Sequence, residues 1–256
     1  MKDTVIPLDR LRLACKECGL ATLCLPMGLT SDDVNKLSSV IQTNRIYHRG
    51  DVLFRNGNSF AKLYVVKSGS VKSFTEQAET GEQILGFHLP GEVVGLDGVA
   101  SNLHQSSAVA LETTACCEMP FGQLEKLTAQ IPSLQHHLYR LFSREIGQEN
   151  QMLTLLGRFN AEQRLAAFLL SISSRLNQRG LSATEFQLSM SRSEIGNYLG
   201  LAVETISRLF RKFQEQGLVE ADRKRVKITN YQQLTSMVDE HDANCLRPVS
   251  YTHLTL

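Results

Sequence analysis

Tryptophan is absent from the chain, and no stretch approaches the roughly 18 consecutive apolar residues of a membrane-crossing helix. The opening MKDTVIPLDRLRLAC lacks the continuous apolar segment of a secretory signal. An excess of either charge is lacking too: 27 Lys and Arg face 26 Asp and Glu, a formal net charge of +1. Such a total neither requires nor excludes nucleic acid, because a local basic patch can sit inside it. There is no Gly-rich phosphate loop, Ser-His-Asp grouping, internal repeat or low-complexity tract. His104, His136 and His137 read as surface or helix residues rather than bases. These absences argue against a membrane span and against an enzyme, and make the cytoplasm the expected compartment. There, six cysteines point to metal, redox chemistry or packing more readily than to disulfides.

Three of those cysteines fall in ACKECGLATLCLP with the spacing Cys15-x2-Cys18-x5-Cys24. Soft thiolates suit iron–sulfur clusters or zinc, and the stretch supplies three ligands where such sites use four. Spacing alone leaves an iron–sulfur cluster, a structural zinc and a redox thiol set open. Cys245, in a tail without a clear period, reads as a bystander.

After this segment LTSDDVNKLSSVIQ predicts a short helix, capped by Thr30 or Ser31, with Asp32 and Asp33 at its positive end. Residues 45 to 120 then break into short β-prone runs divided by Gly, Asn and Pro turns, the pattern of a small sandwich or barrel of jelly-roll type. Ser68-Gly69 lies between two of these runs, where a tight hairpin is expected. From Pro132 to Gly157, Leu138, Phe142, Ile146, Leu153 and Leu156 recur at helical spacings, as in a coiled-coil seam. Glu149 interrupts that seam. A further helix, about 161 to 178, precedes Gly180.

SRSEIGNYLGLAVETISRLFRKFQEQGLVE predicts a helix–turn–helix. Ser191 caps a first helix with Ile195 and Leu199 inward, and Gly200 occupies the turn. The second helix places Val203, Ile206, Phe210 and Phe213 on one face, and Glu204, Ser207, Arg208 and Arg211 on the adjacent one. Arg can donate a fork to guanine, Glu can accept from cytosine N4, and Ser can do either, so this set suits base reading in a major groove. Residues 191 to 227 hold eight Arg or Lys against five Asp or Glu. Arg223-Lys224-Arg225 is expected at a hairpin tip, a wing that meets phosphates.

GNYLGLAVETISR, GFHLPGEVVGLDG, ALETTACCEMPF and the N-terminal cysteine spacing together resemble the fumarate and nitrate reduction regulator branch (FNR, also ANR) of the cyclic-AMP receptor protein superfamily, from about residue 10 to 235. The resemblance implies an α+β fold: an N-terminal double-stranded β-helix, or jelly-roll, of cyclic-nucleotide-binding type, a long dimerisation helix, and a C-terminal winged helix–turn–helix. The corresponding divisions are 1–29 (cysteine-rich segment), 30–131 (sensor), 132–158 (dimerisation helix), 159–238 (DNA-binding domain) and a tail, 239–256. It further implies an oxygen-labile 4Fe-4S cluster held by Cys15, Cys18, Cys24 and Cys117. Adjacent Cys116 should point to the opposite strand face.

Partners implied are palindromic double-stranded DNA with TTGAT-type half-sites, read by Glu204, Ser207 and Arg208, and a homodimer when cluster-loaded. In a parallel dimer the seam would bring Ile146 to the interface and set Glu149 against its own copy, where like charges repel. RNA polymerase is a further partner, through surface loops such as about Thr75 to Gly81, whose sequence TEQAETG departs from the family pattern. Cyclic nucleotide is not expected, because no Arg or Lys lies between Val93 and Glu112 to meet a cyclic phosphate. Within the same superfamily, the alternative is a zinc- or thiol-based redox sensor without iron.

Overall fold

The computed structural model describes residues 15, 18–20, 23–41, 43–77, 79 and 81–239. Cys245 and most of the tail lie outside these residues. The chain divides into two compact units, Met1–Ser143 and Arg144–Leu256. Among the described residues no helix is long and apolar enough to cross a membrane.

In the first unit, α1 (Ser31–Val40) starts at Thr30, whose hydroxyl accepts from the Asp33 N–H at 3.3 Å, and it buries Val34 and Leu37. Eight strands then form two antiparallel four-stranded sheets. One runs in the order β1 (Thr43–Tyr47), β8 (Thr114–Pro120), β3 (Lys62–Ser68), β6 (Val93–Val94). The other runs β2 (Val52–Phe54), β7 (Ser107–Ala110), β4 (Val71–Gln77), β5 (Gly81–His88). Tyr47, Phe54, Tyr64, Val66, Ala108 and Cys116 pack between the sheets. The opposite face of the first sheet, with Leu63, Val65 and Met119, is covered by Leu25, Leu37 and residues of α2 (Phe121–Thr128) and α3 (Pro132–Arg158). That double cover explains why Leu63 to Val66 are all buried instead of alternating. This is the expected jelly-roll followed by a long helix.

The hairpin expected at Ser68-Gly69 does not form, because β3 and β4 belong to different sheets. The chain crosses between sheets here, and the crossing is tight. Gly69 has φ +77°, and an added Cβ would lie 2.5 Å from Thr114 Oγ1 and 2.6 Å from the Thr113 carbonyl. His104 is likewise no surface residue. It is buried, stacked on Phe54 at 3.7 Å between ring centres, and its Nδ1 lies 3.2 Å from Asp97. His137 is buried on α3.

In the second unit, α4 (Ala161–Asn177) begins with a capping box between Asn160 and Gln163, and left-handed Gly180 follows its end. β9 (Glu185–Gln187) leads into α5 (Arg192–Leu199) and α6 (Val203–Glu215). A hairpin, β10 (Val219–Asp222) and β11 (Arg225–Ile228), pairs with β9 to complete a small sheet before α7 (Tyr231–Asp239). This is a winged helix–turn–helix. The β9 strand is only three residues long, too short for its alternation to announce it.

Gly69→Ala is expected to destabilise the first unit by about 1–3 kcal/mol, from a forced left-handed alanine and its clash with Thr114. Its urea unfolding midpoint, followed by circular dichroism, checks this; an unchanged midpoint would mean that the crossing relaxes freely.

Candidate functional site

Two groupings carry chemistry, one in each unit. In the first, Cys15, Cys18, Cys24 and Cys117 line one small pocket. The N-terminal three are held by a succession of tight turns. Cys18 N–H donates to the Cys15 carbonyl at 3.3 Å, Cys24 N–H to Leu20 at 2.9 Å, and Met27 N–H to Cys24 at 3.0 Å. The Cys15 N–H donates to Ser38 Oγ on α1 at 3.2 Å, and Leu25 anchors the segment in the core. Cys117 comes from β8, opposite Asn44 on β1 and Val65 on β3. Its neighbour Cys116 points the other way, into the core between the sheets, as strand alternation requires.

Burial pushes the Cys15, Cys24, Cys116 and Cys117 thiols up. Cys24 is driven well above the usual range, Cys15 rises against a hydrogen bond from Ser38, and Cys117 reaches about 11 although Lys67 pulls it down. Cys116, buried beside Cys117, reaches about 12. These thiols are therefore protonated at neutral pH unless a bound cation stabilises the thiolates. Among the described residues no three His, Cys, Asp or Glu side chains are drawn together around a single ion. The pocket's donors are soft thiols, of the kind that hold zinc or an iron–sulfur cluster.

The loop between β6 and β7 is already filled by a carboxylate. Asp97 accepts from the N–H groups of Gln105 and Ser106 at 2.9 and 2.8 Å and from Ser106 Oγ at 2.8 Å. The Glu92 carboxylate accepts from the Leu89 N–H at 2.9 Å.

In the second unit, Ser191 and Glu194 form a reciprocal capping box at the start of α5. Two glycines let α5 and α6 approach. Gly200 adopts φ +63°, and a Cβ on Gly196 would lie 2.6 Å from the Leu201 carbonyl. On α6, Ile206, Leu209, Phe210 and Phe213 are buried, while Glu204, Ser207, Arg208 and Arg211 are exposed along one side. Val203, expected inward, is 39% exposed, and Leu209 takes the inward place. Val203 opens the helix, ahead of the turn that packs against α5. Ser207 Oγ donates to the Val203 carbonyl at 2.9 Å, and Arg208 lies 3.4 Å from Thr205 Oγ1.

The basic tip is more restrained than its sequence suggests. Arg223, with φ +49°, and Lys224 form the turn, and Lys224 Nζ donates to the Ser189 carbonyl at 3.1 Å. Arg225 belongs to β11 and is bonded to Glu185.

Two arginines escaped the sequence reading. Arg192 lies over the Phe210 ring at 3.2 Å and reaches the Arg223 carbonyl at 3.4 Å, joining recognition helix and wing. Desolvation lowers its guanidinium to about 10. Arg164 donates from Nε to the Phe159 carbonyl at 2.8 Å, from Nη1 to Leu199 at 3.1 Å and from Nη2 to Leu156 at 2.7 Å. It thus satisfies carbonyls at the ends of α3 and α5 with one cation, where helix dipoles favour positive charge. Neither role is signalled in full locally, because Leu199, for Arg164, and Phe210 and Arg223, for Arg192, come from other elements.

The model of a cyclic nucleotide-binding domain matches residues 44–130, and that of a Crp-like helix-turn-helix domain matches 163–237. The chain is 47% identical to the transcriptional activator protein anr of Pseudomonas aeruginosa, covering 87% of this chain and 91% of that one. It is 42% identical to the fumarate and nitrate reduction regulatory protein of Escherichia coli, covering 87% and 89%. Among solved structures, FixK2 from Bradyrhizobium japonicum superposes with a TM-score of 0.71 at 30% identity, over 76% of this chain and 96% of that one.

Arg164→Ala is expected to destabilise the second unit by about 3 kcal/mol, since three charge-assisted hydrogen bonds are lost together. Denaturant unfolding checks this; a shift below about 0.5 kcal/mol would show that water replaces the guanidinium.

Proposed function

The chain belongs to the fumarate and nitrate reduction regulator branch of the cyclic-AMP receptor protein superfamily, and from that premise we propose that it is an oxygen-responsive transcription regulator whose four pocket thiols hold a 4Fe-4S cluster. That it regulates transcription by binding DNA, and is not an enzyme, follows from its relatives and its helix–turn–helix. The observation that carries the finer reading is the pocket itself: three N-terminal cysteines and one from β8 line a single, otherwise mostly aliphatic space. Such a cluster, when bound, supplies an oxygen-labile link between the N-terminal segment and β8. The four thiols are its ligands, and Cys116, on the far face, is not. No cyclic nucleotide is needed, because Asp97 already takes the N–H donors of the loop and no cation lies nearby in sequence.

Dimerisation follows from α3. Ile146 and Leu153 are 58% and 70% exposed, and Glu149 lies between them on the same stripe. In a parallel two-fold pair the apolar side chains meet their own copies, and the two Glu149 carboxylates repel. The seam is therefore marginal, and the state of the N-terminal segment tips it. Two recognition helices then present Glu204, Ser207 and Arg208 to palindromic half-sites of TTGAT type, about one helical turn apart. RNA polymerase is the expected further partner.

Anaerobic purification with iron and acid-labile sulfide assays tests the cofactor. Wild type and Cys116→Ser should carry both with a visible absorption band, and Cys117→Ser should lose most of it. A colourless wild type containing zinc would replace this cofactor with a zinc site and leave the DNA reading intact. Fluorescence anisotropy on a TTGAT palindrome should show binding that weakens after air; equal affinity in both states would defeat the coupling. Separately, Glu149→Ala should shift the air-exposed protein from monomer toward dimer in a mass measurement by light scattering. A monomer there would remove the repulsion argument.

A further inference from the structure

Lys67 is the one charged side chain among the described residues lining the thiol pocket. It occupies a break in the β3–β8 pairing, where the register passes from Val66 opposite Cys116 to Ser68 opposite Ala115 and leaves Lys67 unpaired. An extra residue of this kind re-aims its side chain, and such bulges gather beside functional sites. Two places earlier on the same strand, Val65 lies directly opposite Cys117. Lys67 thereby shares the pocket lining with thiols from both arms, Cys15 and Cys18 from the N-terminal segment and Cys117 from β8.

We propose that the Lys67 ammonium offsets part of the negative charge of a tetrathiolate iron–sulfur cluster in this pocket, and so sets how readily that cluster is oxidised. The inference rests on the cofactor reading above. Four thiolates outweigh the positive core of such a cluster and leave it a net anion. A mostly aliphatic wall solvates an anion poorly, so one nearby cation carries unusual weight. Cluster potentials follow net charge, hydrogen bonds to sulfur and exposure. A fixed positive charge favours the more reduced, more negative state. Its removal lowers the midpoint potential and makes loss of an electron easier. The couple concerned is a one-electron exchange with a soluble viologen mediator: the cluster iron is reduced as the mediator is oxidised, and no side chain changes oxidation state.

The test uses the full chain, purified without oxygen, as wild type, Lys67→Met and Lys67→Arg. Iron and sulfide are assayed first, and the midpoint potential is then measured by mediated titration of the visible spectrum. Lys67→Met should show about a tenfold lower reduced-to-oxidised ratio at a fixed potential, a shift of about 59 mV for one electron, while Lys67→Arg stays within about twofold of wild type. A Lys67→Met that loads normally and titrates with wild type overturns the role of Lys67 and leaves the cluster reading standing. A wild type without iron and sulfide overturns the cluster reading and this inference with it. Loading lost in Lys67→Met and kept in Lys67→Arg supports the charge requirement. Loading lost in both makes the residue a packing element and overturns the proposal.

Discussion

On β8, Cys116 and Cys117 must face opposite ways, and the first unit's chemistry depends on which way each one faces. A slip of one residue would exchange them, sending Cys117 into the core between the sheets. The register is held from the next position along. Glu118 accepts from Tyr47 Oη at 2.7 Å on β1 and from Lys62 Nζ on β3, so both flanking strands are tied to one carboxylate. Burial raises the Glu118 carboxyl, and those two hydrogen bonds outweigh it and hold the group below its usual range. Tyr47 is pushed up in turn, by burial and then by its bond to that carboxylate. A buried charge with only one partner would be costly, so the pairing specifies the register while it offsets the desolvation.

The second unit solves a different problem, that of stacking helix ends closely without leaving carbonyls unpaired. Arg164 meets three of them, Gly196 leaves room for the Leu201 carbonyl and for Ile206 of α6, and Gly200 supplies the left-handed turn between the two helices. With the inner face of α6 committed to Ile206, Leu209, Phe210 and Phe213, its other side is left polar and exposed. Arg192 then fixes the wing against that helix through Phe210 and the Arg223 carbonyl. The basic wing is thus partly committed to the fold: Arg225 to Glu185, and Lys224 to Ser189.

What the sequence disclosed was whatever depends on near neighbours. The Thr30 and Ser191 caps, the turn at Gly200, the long α3 and the opposition of Cys116 to Cys117 all follow from spacings of a few residues. Errors arose where distant segments decide. Gly69 looked like a hairpin turn, because nothing local says that β3 and β4 belong to different sheets. His104 looked exposed, because Phe54 and Asp97 cover it from other parts of the chain. Val203 looked inward and is exposed, because a helical period leaves its first turn undecided until a partner packs. Arg164, Arg192 and Lys67 act through contacts that no local pattern encodes. The thiol set was named from family resemblance; its gathering around one pocket is a property of the fold.

A sheet buried on both faces has two places to keep chemistry. The strand alternation of the first sheet sends Tyr64, Val66 and Cys116 to the core shared with the second sheet, and Leu63, Val65 and Cys117 to the side under α1 and α2. In the loop after β6, Asp97 accepts from the loop's own N–H groups and so closes it. The thiol pocket instead uses the other face, where the N-terminal segment and β8 meet. That side shares a core with Leu25 and Leu37 and with the first turns of α3, through Leu134 and Leu138. A change in how the N-terminal segment is held therefore bears on the start of the helix whose exposed stripe pairs the subunits in the proposed dimer.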